Sequence, residues 1–319
     1  MIHVEHLTVQ YRKEARNIPA VRDVSFDMID GTAVGIVGES GCGKTSLARA
    51  FMGLIPPREG AVTDGSIMID NTNILTVTKQ HLQKLRGKTI SMIFQDPFNS
   101  LNPVLTIKEQ IRECFTFIEH KDAQNRSILD QRIIQLLRSV HIPEPERICD
   151  SYPHQLSGGL RQRVMIGIAI AREPKLLIAD EPTTALDVTI QKNILELLTE
   201  LKKKMNMSVL LITHNLAVVS RNTSKTIVMY AGRIMEEAPT RMLFKHPKHP
   251  YTQILCSALP RLGSKQILKT VPGGPPDPWN LPSGCVFHPR CPFVHDQCYV
   301  KEPELIPFEG RKIRCNLYE

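Results

Sequence analysis

The sequence predicts an α/β fold, and three observations carry that prediction. Short, β-branched apolar runs recur between stretches with helical periodicity. One run ends in a glycine-rich turn that opens a helix, and another ends in an acidic pair, Asp180-Glu181. Apolar residues make up 42% of the 319, enough to bury a sizeable core and to exclude a disordered chain.

The elements follow in order. Ala33-Val34-Gly35-Ile36-Val37 reads as a strand buried on both faces, as do residues 176–179, 208–213 and 225–230. A helix is expected over residues 46–53. Ile128, Ile133, Ile134, Leu137 and Val140 form one apolar helical stripe, and further helices are expected after Ser157 and over residues 189–204. Composition changes near residue 240. The segment beyond holds 12 of the 23 prolines and 5 of the 8 cysteines, so it is expected to form a separate extension over 241–319. Its Gly-Pro-rich stretch 271–284 reads as a loop arm.

No stretch reaches the roughly 18 apolar residues that a membrane span needs. The N-terminus also lacks the basic and apolar blocks of a signal peptide. A cytosolic chain is therefore expected, with its eight cysteines as thiols or metal ligands rather than disulfides. The net charge of +8 suits nucleic acid, anionic lipid or phosphate ligands alike and selects none of them.

Gly38-Glu39-Ser40-Gly41-Cys42-Gly43-Lys44-Thr45 fits G-x-x-x-x-G-K-[ST], placed after a strand and before a helix. Gly38, Gly41 and Gly43 let successive N–H groups, with those of Ser40 and Ser46, curl around an anion. The helix N-terminus adds its partial positive charge. Lys44 would reach the β- and γ-phosphates of a nucleotide, and the Thr45 hydroxyl would ligate Mg²⁺. At the end of the strand 176–179, Asp180 would hold Mg²⁺ through water, and Glu181 would polarise a water attacking the γ-phosphate.

Leu156-Ser157-Gly158-Gly159-Leu160-Arg161-Gln162 resembles the signature motif of the ABC (ATP-binding cassette) transporter ATPases, 19 residues before the acidic strand. The family's commonest motif has Gln where this chain has Leu160. Ile93-Phe94-Gln95-Asp96-Pro97 resembles the Q-loop, Thr184-Ala185-Leu186-Asp187 the D-loop, and His214 the switch histidine. The resemblance covers residues 1–240. It implies a P-loop (RecA-like) ABC nucleotide-binding domain with an antiparallel β subdomain and a helical subdomain, the helical insert falling at about 96–170. It also implies roles. Ser157, Gly158 and Gly159 would contact the nucleotide of an opposite cassette, and Asp187 would face that cassette. Gln95 would touch Mg²⁺ and water, and His214 would contact the γ-phosphate. Tyr11 is the candidate for stacking on adenine.

Cys285, Cys291, Cys298 and Cys315 lie in one short basic segment spaced C-x5-C-x6-C-x16-C. Four thiolates suit a tetrahedral Zn²⁺ or a [4Fe–4S] cluster, and the absence of a tight C-x2–4-C knuckle leans toward the cluster. Arg290, Arg311, Lys312 and Arg314 would offset the thiolate charge. Pro247-Lys248-His249-Pro250-Tyr251-Thr252, Leu259-Pro260 and the run 281–292 resemble the oligopeptide/dipeptide importer ATPases, with nickel importers as relatives. That resemblance also points to an iron–sulfur cluster in this Cys-containing extension.

The resemblance implies an ATPase (cofactors ATP and Mg²⁺) that drives import of peptides, or of nickel or another cargo of the same family. Its implied partners are a second ATPase subunit, a paralogue rather than a copy of itself, two membrane permease subunits and an extracytoplasmic substrate-binding protein. The implied location is peripheral, at the cytoplasmic face of the cell membrane. A soluble ABC-type ATPase acting on nucleic acid is the rival reading. The chain lacks the aromatics interleaved in a basic stripe that such a role would use, so no nucleic-acid partner is expected.

Overall fold

The computed structural model describes residues 1–13, 16–96, 100–116, 126–184, 186–258 and 273–319. The arm expected over 271–284 lies outside them at residues 271 and 272, and Leu259-Pro260 lies outside them altogether. The chain divides into two compact units. One comprises Met1–Thr76 with Leu210–Glu319, the other Val77–Val209.

In the first unit, the strand Ile2–Lys13 pairs antiparallel with Arg16–Met28 on one side and Gly60–Ile69 on the other, and Thr72–Asn73 closes the sheet. Ile2, Val4, Leu7 and Val9 turn inward. Strict alternation would have put His6 inside. The register instead shifts between Val4 and Leu7, and His6 takes a left-handed φ of 48°, so the histidine stays out and Leu7 takes its place.

The same unit holds a second sheet. Ala33–Val37, buried at every position, runs parallel to Lys225–Tyr230. On its other side, Thr213 N–H donates to the Ile36 carbonyl at 3.1 Å, just past the strand Ser208–Ile212. Gly35 is required here: a Cβ would stand 2.4 Å from Val219 Cγ1 on the helix Leu216–Asn222. Arg233–Pro239 pairs antiparallel with Lys225–Tyr230, and the C-terminal residues continue outward with Arg311–Ile313 and Ile306–Phe308. The segment after residue 240 is thus woven into the sheet by backbone hydrogen bonds.

In the second unit, Ile90–Ile93 and Leu176–Asp180 form a parallel pair, and Ser208 N–H donates to the Lys175 carbonyl at 2.8 Å. Its longer helices are Ile107–Thr116, Arg126–Ser139, Gly158–Ile170 and Val188–Met205. The apolar seam of Arg126–Ser139 is Leu129, Ile133 and Leu137, continued by Val140. Ile128, expected on that stripe, is exposed, because the seam begins one residue later and leaves Ile128 on the outer face. Residues 117–125, within the expected helical insert, lie outside the described residues. Among the described residues no helix is long and apolar enough to cross a membrane.

Candidate functional site

The first unit presents the glycine-rich loop. It leaves the buried strand Ala33–Val37 and enters the helix Lys44–Phe51, two residues earlier than the expected helix start. Gly43 carries a φ of 103°, and a Cβ there would meet the Ala20 carbonyl oxygen at 2.1 Å, so the position admits glycine alone. Gly41, at φ 79°, has nothing within 4 Å of where its Cβ would stand, which leaves an open cradle above the loop backbone. Lys44 is only 6% exposed, and its Nζ donates to the carbonyls of Gly38 and Glu39, each at 2.9 Å. The open space over Gly41 and the ammonium of Lys44 beside it suit a polyphosphate, which a glycine-rich loop at a helix N-terminus receives on its N–H groups. Thr45 and Ser46 follow in the first helical turn, half-buried. Cys42 packs against the loop, and burial pushes its thiol pKa up, making it a filler rather than a reactive thiol.

Two further candidates sit in this unit. His214 is exposed and lies just after Thr213, which is bonded to the strand that feeds the loop. Asn215 next to it caps the helix Leu216–Asn222, accepting from the N–H groups of Ala217 and Val218. Tyr11 is half-buried in the antiparallel sheet, opposite Ile18 and Gly60.

The second unit presents the acidic pair. Asp180 ends the strand Leu176–Asp180 at 1% exposure. Glu181 takes a left-handed φ of 47°, a conformation that costs a non-glycine residue about 1–3 kcal/mol and is kept only where the surroundings hold it. The surroundings do hold it. Its Oε2 accepts from Gln95 Nε2 at 3.3 Å and from the Thr184 hydroxyl at 2.8 Å. Gln95 and Glu181, 86 residues apart in sequence, are therefore brought together. Thr184 belongs to the segment read as the D-loop, but its donation to the carboxylate was not anticipated. Its place three residues after Glu181, across one turn, was the available signal.

The signature segment forms a helix start. Ser157 caps Gly158–Ile170, its hydroxyl accepting from Leu160 N–H at 3.4 Å. A Cβ at Gly159 would stand 3.1 Å from Ile190 Cγ2, and one at Gly158 3.6 Å from Leu186 Cδ2. Small residues here let the two helix starts approach. Asp187 likewise caps Val188–Met205, accepting from Ile190 N–H at 2.9 Å.

The four-cysteine metal centre is corrected. Among the described residues no group of three or more His, Cys, Asp or Glu side chains is arranged to hold a metal ion, so neither an iron–sulfur cluster nor zinc is assigned to Cys285, Cys291, Cys298 and Cys315. The surroundings are those of packed side chains. Cys285 and Cys298 belong to an apolar cluster with Tyr230, Tyr251, Val286 and Phe287, and Cys315 is buried too. Burial pushes the Cys285 thiol up to about 11 and the Cys315 thiol up to about 12, with the neighbouring cysteines adding to the rise. The arginines expected to offset thiolate charge are engaged elsewhere. Arg290 bonds Glu39, Arg311 bonds Glu236, and Arg314 donates to the carbonyls of Ile234 and Pro303.

A glycine loop with its lysine folded over it in one unit, and a glutamate held at a strand end in the other, are features that a nucleotide-hydrolysing cassette would carry. Comparison with known proteins agrees. The ABC transporter family matches residues 21–184, and the C-terminal region of oligopeptide/dipeptide transporters matches residues 235–298. The oligopeptide transport ATP-binding protein AppD of Bacillus subtilis is 46% identical, over 100% of this chain and 97% of its own length. The dipeptide transport ATP-binding protein DppD of Escherichia coli is 45% identical, over 99% of this chain and 96% of its own length. Among solved structures, a dimeric ATP-binding cassette in a post-hydrolysis state, bound to ADP and Pi, aligns with a TM-score of 0.67 and 29% identity, covering 76% of this chain and 99% of that one. The chain belongs to the ABC transporter family of ATP-binding proteins.

Proposed function

We propose that this chain is the ATP-hydrolysing subunit of an importer for oligopeptides or dipeptides. One observation carries the reading: Glu181, held in a left-handed conformation by Gln95 and Thr184, on a chain that matches peptide-transport ATP-binding proteins from end to end. The N–H groups of residues 38–46, including Gly38, Ser40, Gly41, Gly43 and Ser46, receive the β- and γ-phosphates. Lys44 neutralises them and Tyr11 stacks on the base. Thr45 and Gln95 would hold Mg²⁺, with Asp180 as a further carboxylate for it through water; when bound, the ion would supply neutralising charge to the phosphate oxygens. Glu181 accepts the proton of the attacking water. The new P–O bond forms in line as the bond to the ADP oxygen breaks, giving ADP and phosphate, while His214 contacts the γ-phosphate.

Ser157 and the Gly158 and Gly159 N–H groups serve the nucleotide of a second cassette, which Asp187 faces. In this reading residues 1–240 form the cassette and 241–319 its extension. The partners are a second ATPase subunit, a paralogue, two membrane permease subunits and an extracytoplasmic substrate-binding protein. The chain docks peripherally at the cytoplasmic face of the membrane, and ATP-dependent dimerisation of the two cassettes drives transport through the permeases.

Glu181→Gln tests the centre of this proposal. It removes the proton acceptor and keeps the shape. Hydrolysis is expected to fall by about 10² to 10⁴, the usual contribution of a positioned base, with ATP affinity retained. Undiminished turnover would refute the assignment of Glu181. Identifying the chains that co-purify from membranes with the tagged subunit tests the partners.

A further inference from the structure

We infer that Arg290 is a positioning residue for the phosphate loop: it acts through Glu39 to hold the loop in its nucleotide-receiving shape. The inference rests on the function proposed above and assigns part of that site's order to the C-terminal extension.

Glu39 is the second residue of the glycine motif, and three of its groups are committed. Its carboxylate takes a two-pronged contact from Arg290, Nη1 to Oε2 at 2.7 Å and Nη2 to Oε1 at 2.9 Å. Its N–H donates to the Tyr251 hydroxyl at 3.0 Å. Its carbonyl accepts from Lys44 Nζ at 2.9 Å and from Cys42 N–H at 3.3 Å. Two of these partners, Arg290 and Tyr251, come from beyond residue 240. No polar group of Glu39 is left to drift.

Arg290 is itself fixed. Its side chain is 6% exposed, Nη1 also donates to the Tyr230 hydroxyl at 3.2 Å, and Nη2 donates to the Gly273 carbonyl at 3.2 Å. Beneath it lies an aromatic floor, with Tyr230 and Tyr251 centroids 4.8 Å apart and Phe287 edge-on to Tyr230 at 5.2 Å. A planar guanidinium gripping both carboxylate oxygens fixes angle as well as distance, which a point charge cannot do. The chain of contacts then runs from the extension to Glu39, and from the Glu39 carbonyl to the ammonium of Lys44. Loosening Arg290 lets residue 39 shift and moves the resting place of the lysine that meets phosphate.

Isothermal titration of MgATP into the full-length chain tests this, with wild type, Arg290→Gln, Arg290→Lys, Glu39→Gln and the double variant Arg290→Gln/Glu39→Gln. Melting temperature without nucleotide is recorded alongside. Arg290→Gln is expected to raise the Kd about tenfold, the scale of loss when a distant change misplaces a binding group by a fraction of an ångström. Arg290→Lys is expected to recover part of the loss. Glu39→Gln is expected to weaken binding similarly, and the double variant to be no weaker than the worse single variant, because both break one contact. If Arg290→Gln fails to fold, Arg290→Lys and Glu39→Gln carry the test. A wild-type Kd in Arg290→Gln overturns the inference, as do a wild-type Kd in Glu39→Gln and losses that multiply in the double variant. A fall in melting temperature without a change in Kd overturns it too, reducing Arg290 to a structural staple. A wild-type chain that takes no MgATP would overturn the functional reading and this inference with it. Normal wild-type binding with unaltered variants overturns this inference alone.

Discussion

Acidification should destabilise the fold through one residue, His249. The imidazole is 1% exposed, and burial lowers its pKa from 6.5 to about 3. Its Nδ1 is already used: it accepts from Tyr251 N–H at 3.0 Å and caps the helix Pro250–Ser257. A proton there would destroy that cap. The folded chain therefore refuses a proton that the unfolded chain accepts. The contribution of the neutral ring is present above pH 6.5 and is lost as pH falls from 6.5 toward about 3. The slope is about 1.4 kcal/mol per pH unit, so going from pH 7 to pH 5 should remove about 2 kcal/mol from this residue alone. His249→Asn keeps an oxygen acceptor suited to a helix N-cap and removes the titration. Urea unfolding of both proteins at pH 7 and pH 5 gives the comparison, with the variant expected to lose about 2 kcal/mol less across the interval. Equal losses would refute the reasoning, because the acid sensitivity would then belong to other groups.

Three other outcomes follow from the same geometry. Glu236 is 0% exposed, and its carboxylate accepts from Arg311 Nη1 at 2.7 Å and from the N–H groups of Lys248 and His249. Glu236→Ala strands a buried guanidinium, so urea unfolding should show a loss of about 3–5 kcal/mol. Thr184→Val removes the 2.8 Å donor to Glu181 while keeping the shape of the side chain, and steady-state ATPase assays should show kcat reduced about tenfold with KM little changed. Gly43→Ala would drive a methyl to 2.1 Å from the Ala20 carbonyl at a φ of 103°, a strain of at least about 1–3 kcal/mol. Calorimetry should then show MgATP affinity reduced at least tenfold.

Much of the fold and most of the candidate site could be read in the sequence, for a reason that also explains what could not. The strands Ala33–Val37 and Lys225–Tyr230 stand where the apolar runs placed them, because strands buried on both faces of a sheet are mostly apolar; in the second the apolar run is residues 227–230. The glycine loop was legible because left-handed backbone and close approach leave almost no choice of residue type. The helix Arg126–Ser139 was misphased at its first turn. A stripe constrains its middle, at Ile133 and Leu137, more than a terminus where Ile128 and Leu129 compete for one inward position. The link from Glu181 to Thr184 and Gln95 was only half visible, since a motif names residue types but not the bonds among them.

The extension shows the deeper limit. Spacing alone could not tell a cysteine that ligates from a cysteine that packs, because both need burial and both tolerate long loops. What separates them is the surroundings, and these were set by residues whose partners lie far away in sequence. Arg290 is spent on Glu39, 251 positions earlier, and Arg311 on Glu236, 75 positions earlier. Arg290, Arg311 and Arg314 bond carboxylates, a tyrosine hydroxyl and backbone carbonyls, and burial pushes the Cys285 and Cys315 thiols up. The same contacts give the extension its hold on the cassette. An arginine that stabilised a thiolate would have been one more charge on a loop, whereas one directed at Glu39 ties a proline-rich segment to the side chain of a glycine-loop residue. Basic residues near cysteines therefore count as evidence for ligation only after their long-range acidic partners have been excluded, and in this chain those partners are Glu39 and Glu236.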